Sequence, residues 1–133
     1  MSIENVERLR PVFREWGRGN FTAGMDLLDE DVVFVTFIPG SADEVTYRGL
    51  TGVADFLREF LGQWQNFTWT AEDFVPSGDK VLVAGHQRAR GRHSGAAVEM
   101  TAFCLWTFRE GKAVRLQFFR DKSKALRAAG LQT

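Results

Sequence analysis

The chain has 133 residues, with seventeen acidic side chains against seventeen basic ones and a formal net charge of zero. That length predicts one domain spanning residues 1–133, and the charge balance argues against a nucleic-acid or anionic-membrane binder, which carries a basic excess. A single cysteine excludes an internal disulfide or a multi-cysteine metal site. No apolar run reaches the ~18 residues of a membrane span and MSIENVERLR carries no apolar leader, so the expected setting is cytoplasmic. Twelve Phe and four Trp against one Tyr supply much aromatic volume, suited to lining or filling an apolar cavity.

Ile3, Val6, Leu9, Phe13 and Trp16 recur at steps of three and four, which predicts an amphipathic helix capped by Ser2 and ended by Gly17 and Gly19. A short second helix is expected with Phe21, Met25 and Leu28 on one face. Asp29 to Asp31 lead into a strand from Val32 to Ile38, stopped by Pro39-Gly40. After a polar loop and the Thr46-Tyr47-Arg48 run, a helix starts near Thr51. Its stripe is Val53, Phe56, Leu57, Phe60, Leu61 and Trp64. Strands follow at Phe67 to Val75 and Lys80 to Arg90, joined by the Pro76 to Asp79 turn.

The stretch from Val98 to Asp121 reads as two long strands around an Arg109 to Lys112 turn. In the first of them Met100, Ala102, Cys104 and Trp106 form one face and Thr101, Phe103, Leu105 and Thr107 the other. A strand apolar on both sides needs a covering layer on each. One is expected to be the protein's own helices around a pocket, the other a second subunit. A last short helix, capped by Asp121 or Ser123, ends at Gly130. Helices grouped ahead of an antiparallel meander indicate an α+β domain.

The segments FREWGRGN (Phe13 to Asn20), LLDEDVVF (Leu27 to Phe34), TYRGLTGVADFL (Thr46 to Leu57) and LWTFREGKAVRLQFFRDKSKAL (Leu105 to Leu126) resemble the SnoaL-like branch of the nuclear-transport-factor-2-like superfamily. That group includes ketosteroid isomerases, limonene-epoxide hydrolases and polyketide cyclases. The resemblance implies a curved antiparallel sheet wrapped around N-terminal helices to form a conical pocket, with the outer sheet face used for a homodimer. Strand alternation puts Val114, Leu116, Phe118 and Arg120 on the more apolar side of the last strand, which should face the pocket. The resemblance adds Phe34, Thr36 and Ile38; Val83, Gly85 and Gln87; and Met100, Ala102, Cys104 and Trp106 to that side.

The family's catalytic groups do not carry over. The isomerase base aligns with Ile38, its oxyanion-binding tyrosine with Val12 and its protonated aspartate with Cys104. The Asp-Arg-Asp set of the epoxide hydrolases aligns with Gly85, Gln87 and Phe118, and the cyclase acid also falls at Phe118. Acid–base chemistry needs a carboxylate or an imidazole, so the catalytic residues stay unassigned. The expected ligand-binding set is Trp16, Thr36, Ile38, Phe60, Trp64, Gln87, Met100, Cys104, Trp106, Phe118 and Arg120.

Arg120 has two readings: it holds a carboxylate, enol or phenolate oxygen, or it reaches the rim and pairs with a surface acid. Cys104 reads as a small core residue sooner than as a nucleophile, since no base faces it. His86 and His93 form no metal site, and Arg88 and Arg90 share the outer face with Glu99. No cofactor and no metal are expected. The leading function is the binding of a small hydrophobic or aromatic molecule. The alternatives are an isomerase, cyclase or epoxide-hydrolase-type enzyme with a non-standard site, and a dimeric interaction module with a filled core.

Overall fold

A computed structural model describes residues 2–38 and 41–131, with the side chain of Ser2 outside the description. The Ser2 cap and the Pro39-Gly40 stop therefore lie outside the described groups. Helix α1 (Ser2–Trp16) is followed by strands β1 (Leu28–Phe37) and β2 (Glu44–Arg48), then helix α2 (Gly49–Leu61). The meander β3 (Trp64–Ser77), β4 (Lys80–Gly91), β5 (Ala97–Arg109) and β6 (Lys112–Phe119) comes next, and α3 (Lys122–Ala128) closes the chain.

Among the described residues the strands make one sheet in the order β2-β1-β6-β5-β4-β3. The class is α+β, but the sheet is mixed. β1 runs parallel to β6 with Phe34 opposite Leu116, and the other neighbouring pairs are antiparallel. Register shifts between Gln65 and Thr68 and between Ala71 and Asp73 on β3, and between Thr107 and Phe108 on β5, add local bends and twist. They help a long sheet curl around the helices.

Two stretches depart from the sequence expectation. Met25–Leu27 forms only a 3-10 turn, where a short helix with Phe21, Met25 and Leu28 on one face is expected. Gly24 ahead of it sits at φ 94°, and a Cβ there would lie 2.9 Å from Val12 Cγ1, so the backbone turns tightly against α1. Trp64 continues the α2 stripe in spacing but opens β3 instead.

The core has two parts on opposite faces of the sheet. The inner part joins Leu9, Phe13 and Trp16 of α1 to Val81, Val83, Cys104 and Trp106. The outer part gathers Leu82, Phe103, Leu105 and Phe119 under Ala125 and Ala129 at the C-terminal end of the chain. Asp121 caps α3 by accepting from the Ser123 backbone N–H at 2.8 Å, and Ser77 Oγ donates to the Ala129 carbonyl at 2.8 Å. The layer over Phe103 and Leu105, expected from a second subunit, is therefore supplied by the chain's own α3 segment.

Candidate functional site

Between the concave face of the sheet and the helices lies a cavity of about 450 Å³, within the range of small-molecule sites. Aromatic side chains make most of its wall. Phe34 packs against Phe56 at 4.8 Å between ring centroids and against Phe118 at 5.5 Å, while Phe60 meets Phe67 edge-on at 4.9 Å. These rings engage one another around the cavity and leave its centre open.

All four tryptophans of the chain, Trp16, Trp64, Trp69 and Trp106, line this space. Trp69 and Trp106 are 1% exposed and belong to the floor. Trp16 Nε1 donates to the Ala23 carbonyl at 3.1 Å, which ties the segment after α1 to the wall. Trp106 Nε1 donates to Cys104 Sγ at 3.2 Å. The indole N–H groups of Trp64 and Trp69 are buried without a hydrogen-bond partner among the described residues.

Of the side chains the sequence assigns to the pocket, Trp16, Thr36, Phe60, Trp64, Gln87, Met100, Trp106, Phe118 and Arg120 line the cavity. Two are not in the lining. Ile38 follows the last residue of β1 and is 45% exposed. Cys104 is fully buried, within the inner core. Burial pushes its thiol well above the usual cysteine range, and the Trp106 N–H only partly offsets this. A nucleophilic role needs the thiolate. Native protein is therefore expected to react with a thiol-specific disulfide reagent at least about a hundredfold more slowly than urea-unfolded protein. Comparable rates in the two states would show that Cys104 is accessible.

The lining combines a largely apolar wall with few polar side chains. Thr36 and Gln87 are half-buried, and Gln87 stands across from Trp69 on one side and Met100 on the other. Arg120 is exposed at the mouth, where its Nη1 donates to the Ser41 carbonyl at 2.6 Å and its guanidinium lies 4.2 Å from the Phe37 ring centroid. Arg88 contributes to the lining, but its Nε lies 3.3 Å from the Glu99 carboxylate, which also meets His86 Nε2 at 2.9 Å. The His86 hydrogen bond and then the Arg88 charge hold the Glu99 carboxyl below its usual range. Among the described residues, no aspartate, glutamate or histidine lines the cavity.

The positions where the resemblance would set catalytic groups are occupied by other chemistry. Val12 is buried against Gly24. Phe118 faces Phe34 and Trp69. At Gly85 an added Cβ would fall 2.3 Å from Trp69 Cζ3 and 2.5 Å from the Thr70 carbonyl oxygen. The indole of Trp69 thus covers the place an acid would take.

Several lining residues escaped the sequence-derived set, among them Phe56, Leu57, Phe67 and Trp69. Phe34, placed on the pocket side with Thr36, does line it, and Phe56 lies one helical turn before Phe60, so the same periodicity carried it. Phe67 and Trp69 follow a bulge with Asn66 at φ 54°, and nothing in the local pattern fixes their side of the sheet.

Residues 9–116 match the family of the SnoaL-like domain. Among solved structures, an NTF2-like protein of unknown function from Burkholderia pseudomallei K96243 superposes with a TM-score of 0.77 at 20% identity, covering 92% of this chain and 95% of that one. A putative SnoaL-like polyketide cyclase from Jannaschia sp. CCS1 gives 0.75 at 15% identity, over 99% and 95% of the two chains. A hypothetical protein with a ketosteroid isomerase-like fold from Catenulispora acidiphila DSM 44928, in complex with trimethylamine, gives 0.70 at 18% identity over 98% and 95%. No curated protein matches the sequence. A match over most of its length, carried on the NTF2-like fold, makes this chain a member of the SnoaL-like domain family.

Proposed function

We propose that this protein binds a small hydrophobic or aromatic molecule inside the cone. The observation that carries the reading is the cavity of about 450 Å³, walled by aromatic rings, with the exposed Met100 and Arg120 among its lining. Such a space removes apolar surface from water at roughly 25 cal/mol per Å². Flat rings gain further from edge and offset contacts with the wall. Room for about two or three fused rings follows from the size class of the cavity. Gln87 and Thr36 supply the polar contacts that orient such a ligand.

An enzymatic reading around Gln87, Arg120 and Cys104 has less support. The Cys104 thiol is buried outside the lining, and the lining carries neither a carboxylate nor an imidazole to move a proton. Pairing of two copies is proposed only for the part of the outer face that α3 leaves open, around His86, Arg88 and Glu99.

Because every tryptophan lines the cavity, intrinsic fluorescence reports directly on occupancy. Titration with 2-naphthamide is expected to shift or quench the emission saturably, with Kd of roughly 1–100 µM. Ala102 is a small residue in the wall, and Ala102→Phe is expected to abolish the response while leaving the circular dichroism spectrum unchanged. Absence of saturable quenching and of calorimetric heat with the wild type, or full binding by a folded Ala102→Phe variant, would overturn the reading.

A further inference from the structure

We infer that the cavity mouth is built to hold an anionic group, so that the preferred ligand is a hydrophobic or aromatic acid whose carboxylate or enolate oxygen meets Arg120. This rests on the reading of the cavity as a binding site and specifies its ligand class.

The first support is charge. Two arginines contribute to the lining, and Glu99 already neutralises Arg88 on the outer face. Arg120 has no carboxylate within 4.0 Å among the described residues, and its hydrogen bond goes to a neutral carbonyl. Of the carboxylates close to it in sequence or close to Ser41, Asp43 makes no ion pair with it, and Asp121 and Glu44 have other contacts. Asp121 accepts from the Ser123 backbone as a helix cap, and Glu44 accepts from Gln117 Nε2 at 3.4 Å. The mouth therefore carries a guanidinium with its charge unpaired.

The second support is positioning. The Ser41 carbonyl at 2.6 Å and the Phe37 ring at 4.2 Å hold the guanidinium from two directions. A guanidinium has five N–H donors in a fixed plane, and this arrangement engages one of them, which leaves donors for a bidentate contact with a carboxylate. A side chain already held in place loses little rotamer freedom when the ligand arrives. Thr36 adds a hydroxyl to the cavity lining.

The third support is exclusion. Aromatic walls alone would favour a cation through the faces of their rings. An unpaired positive charge at the entrance opposes that, so the expected order is anion, then neutral molecule, then cation.

The test uses three naphthalenes of one shape: 2-naphthoate, 2-naphthamide and 2-naphthylmethylammonium. Each is titrated calorimetrically at pH 8 into the wild type, Arg120→Gln and Arg120→Lys. In the wild type the carboxylate is expected to bind about five- to tenfold more tightly than the amide, and the ammonium more weakly than both. Arg120→Gln should erase the preference for the acid, weakening 2-naphthoate about five- to tenfold more than 2-naphthamide, and Arg120→Lys should retain part of it. Equal affinities for acid and amide, or a preference that survives Arg120→Gln, would overturn this inference and leave the cavity reading standing. Failure of all three probes to bind the wild type would overturn both.

Discussion

Leu105→Glu is expected to destabilise the protein by about 3–5 kcal/mol and to release α3 from the sheet. Leu105 is 5% exposed and packs with Leu82, Phe103 and Phe119 beneath Ala125 and Ala129. The substitution removes buried apolar surface and sets a carboxylate among the apolar side chains of the outer cluster. The C-terminal segment meets this patch through Ala125 and Ala129 with Leu126 and Leu131 beside them, so the leucine is a central contact of the helix. Urea unfolding gives the stability loss, and limited proteolysis within residues 122–128 reports the release of α3. A variant within about 1 kcal/mol of wild type, with its last helix still protected, would show that α3 does not depend on this patch. Loss of a dimer with α3 unchanged would instead assign Leu105 to a contact between copies.

Gly85→Ala is expected to cost about 3 kcal/mol, a large effect for a single methyl group. The added carbon would sit 2.3 Å from Trp69 Cζ3 and 2.5 Å from the Thr70 carbonyl oxygen. The indole could swing only into the cavity, and the carbonyl belongs to the β3–β4 ladder, where Thr70 pairs with His86. Combining Gly85→Ala with Trp69→Phe removes the ring clash but not the carbonyl one, so partial recovery is expected. Thermal unfolding of the two variants and the wild type, with tryptophan emission followed in the single variant, checks both statements. A Gly85→Ala protein as stable as wild type would mean that β3 stands further from β4 than these distances indicate. Through the family resemblance, Gly85 is also where a hydrolase acid would align. Here that place is closed by packing as well as empty of charge.

Much of this architecture could be read from spacing. The Arg109 to Lys112 turn holds Glu110 at φ 53° and Gly111 at φ 80°, the conformation expected of a tight hairpin between two alternating strands. The α2 stripe and the faces of β4 and β5 followed from periods of 3.6 and 2. Trp64 shows where such patterns stop being decisive. It lies four residues after Phe60, so it fits the helical stripe, but the helix ends at Leu61 and the same side chain serves as the first of a strand. The outer cover was missed for a related reason: Ala125 and Ala129 are small and give the last helix a weak apolar signal. Phe103 and Leu105 therefore seemed to need a partner from outside the chain. Arg120 lies just beyond the end of β6, where alternation no longer fixes direction, and only the Ser41 and Phe37 contacts define its position.

The parallel pairing of β1 with β6 has a consequence for how the chain is made. β1 and β2 can pair early, and β3 to β6 can assemble as successive local hairpins. The seam between these two pieces joins opposite ends of the sequence, with Phe34 of β1 set against Leu116 of β6. Contacts so distant along the chain close slowly, because loop entropy must be overcome before they form. On the ribosome that seam cannot form until β6 has emerged. Phe34 of β1 can meet Phe56 once α2 has emerged, but its contacts with Leu116 and Phe118 must wait for β6, and until then the nascent chain has no finished cone.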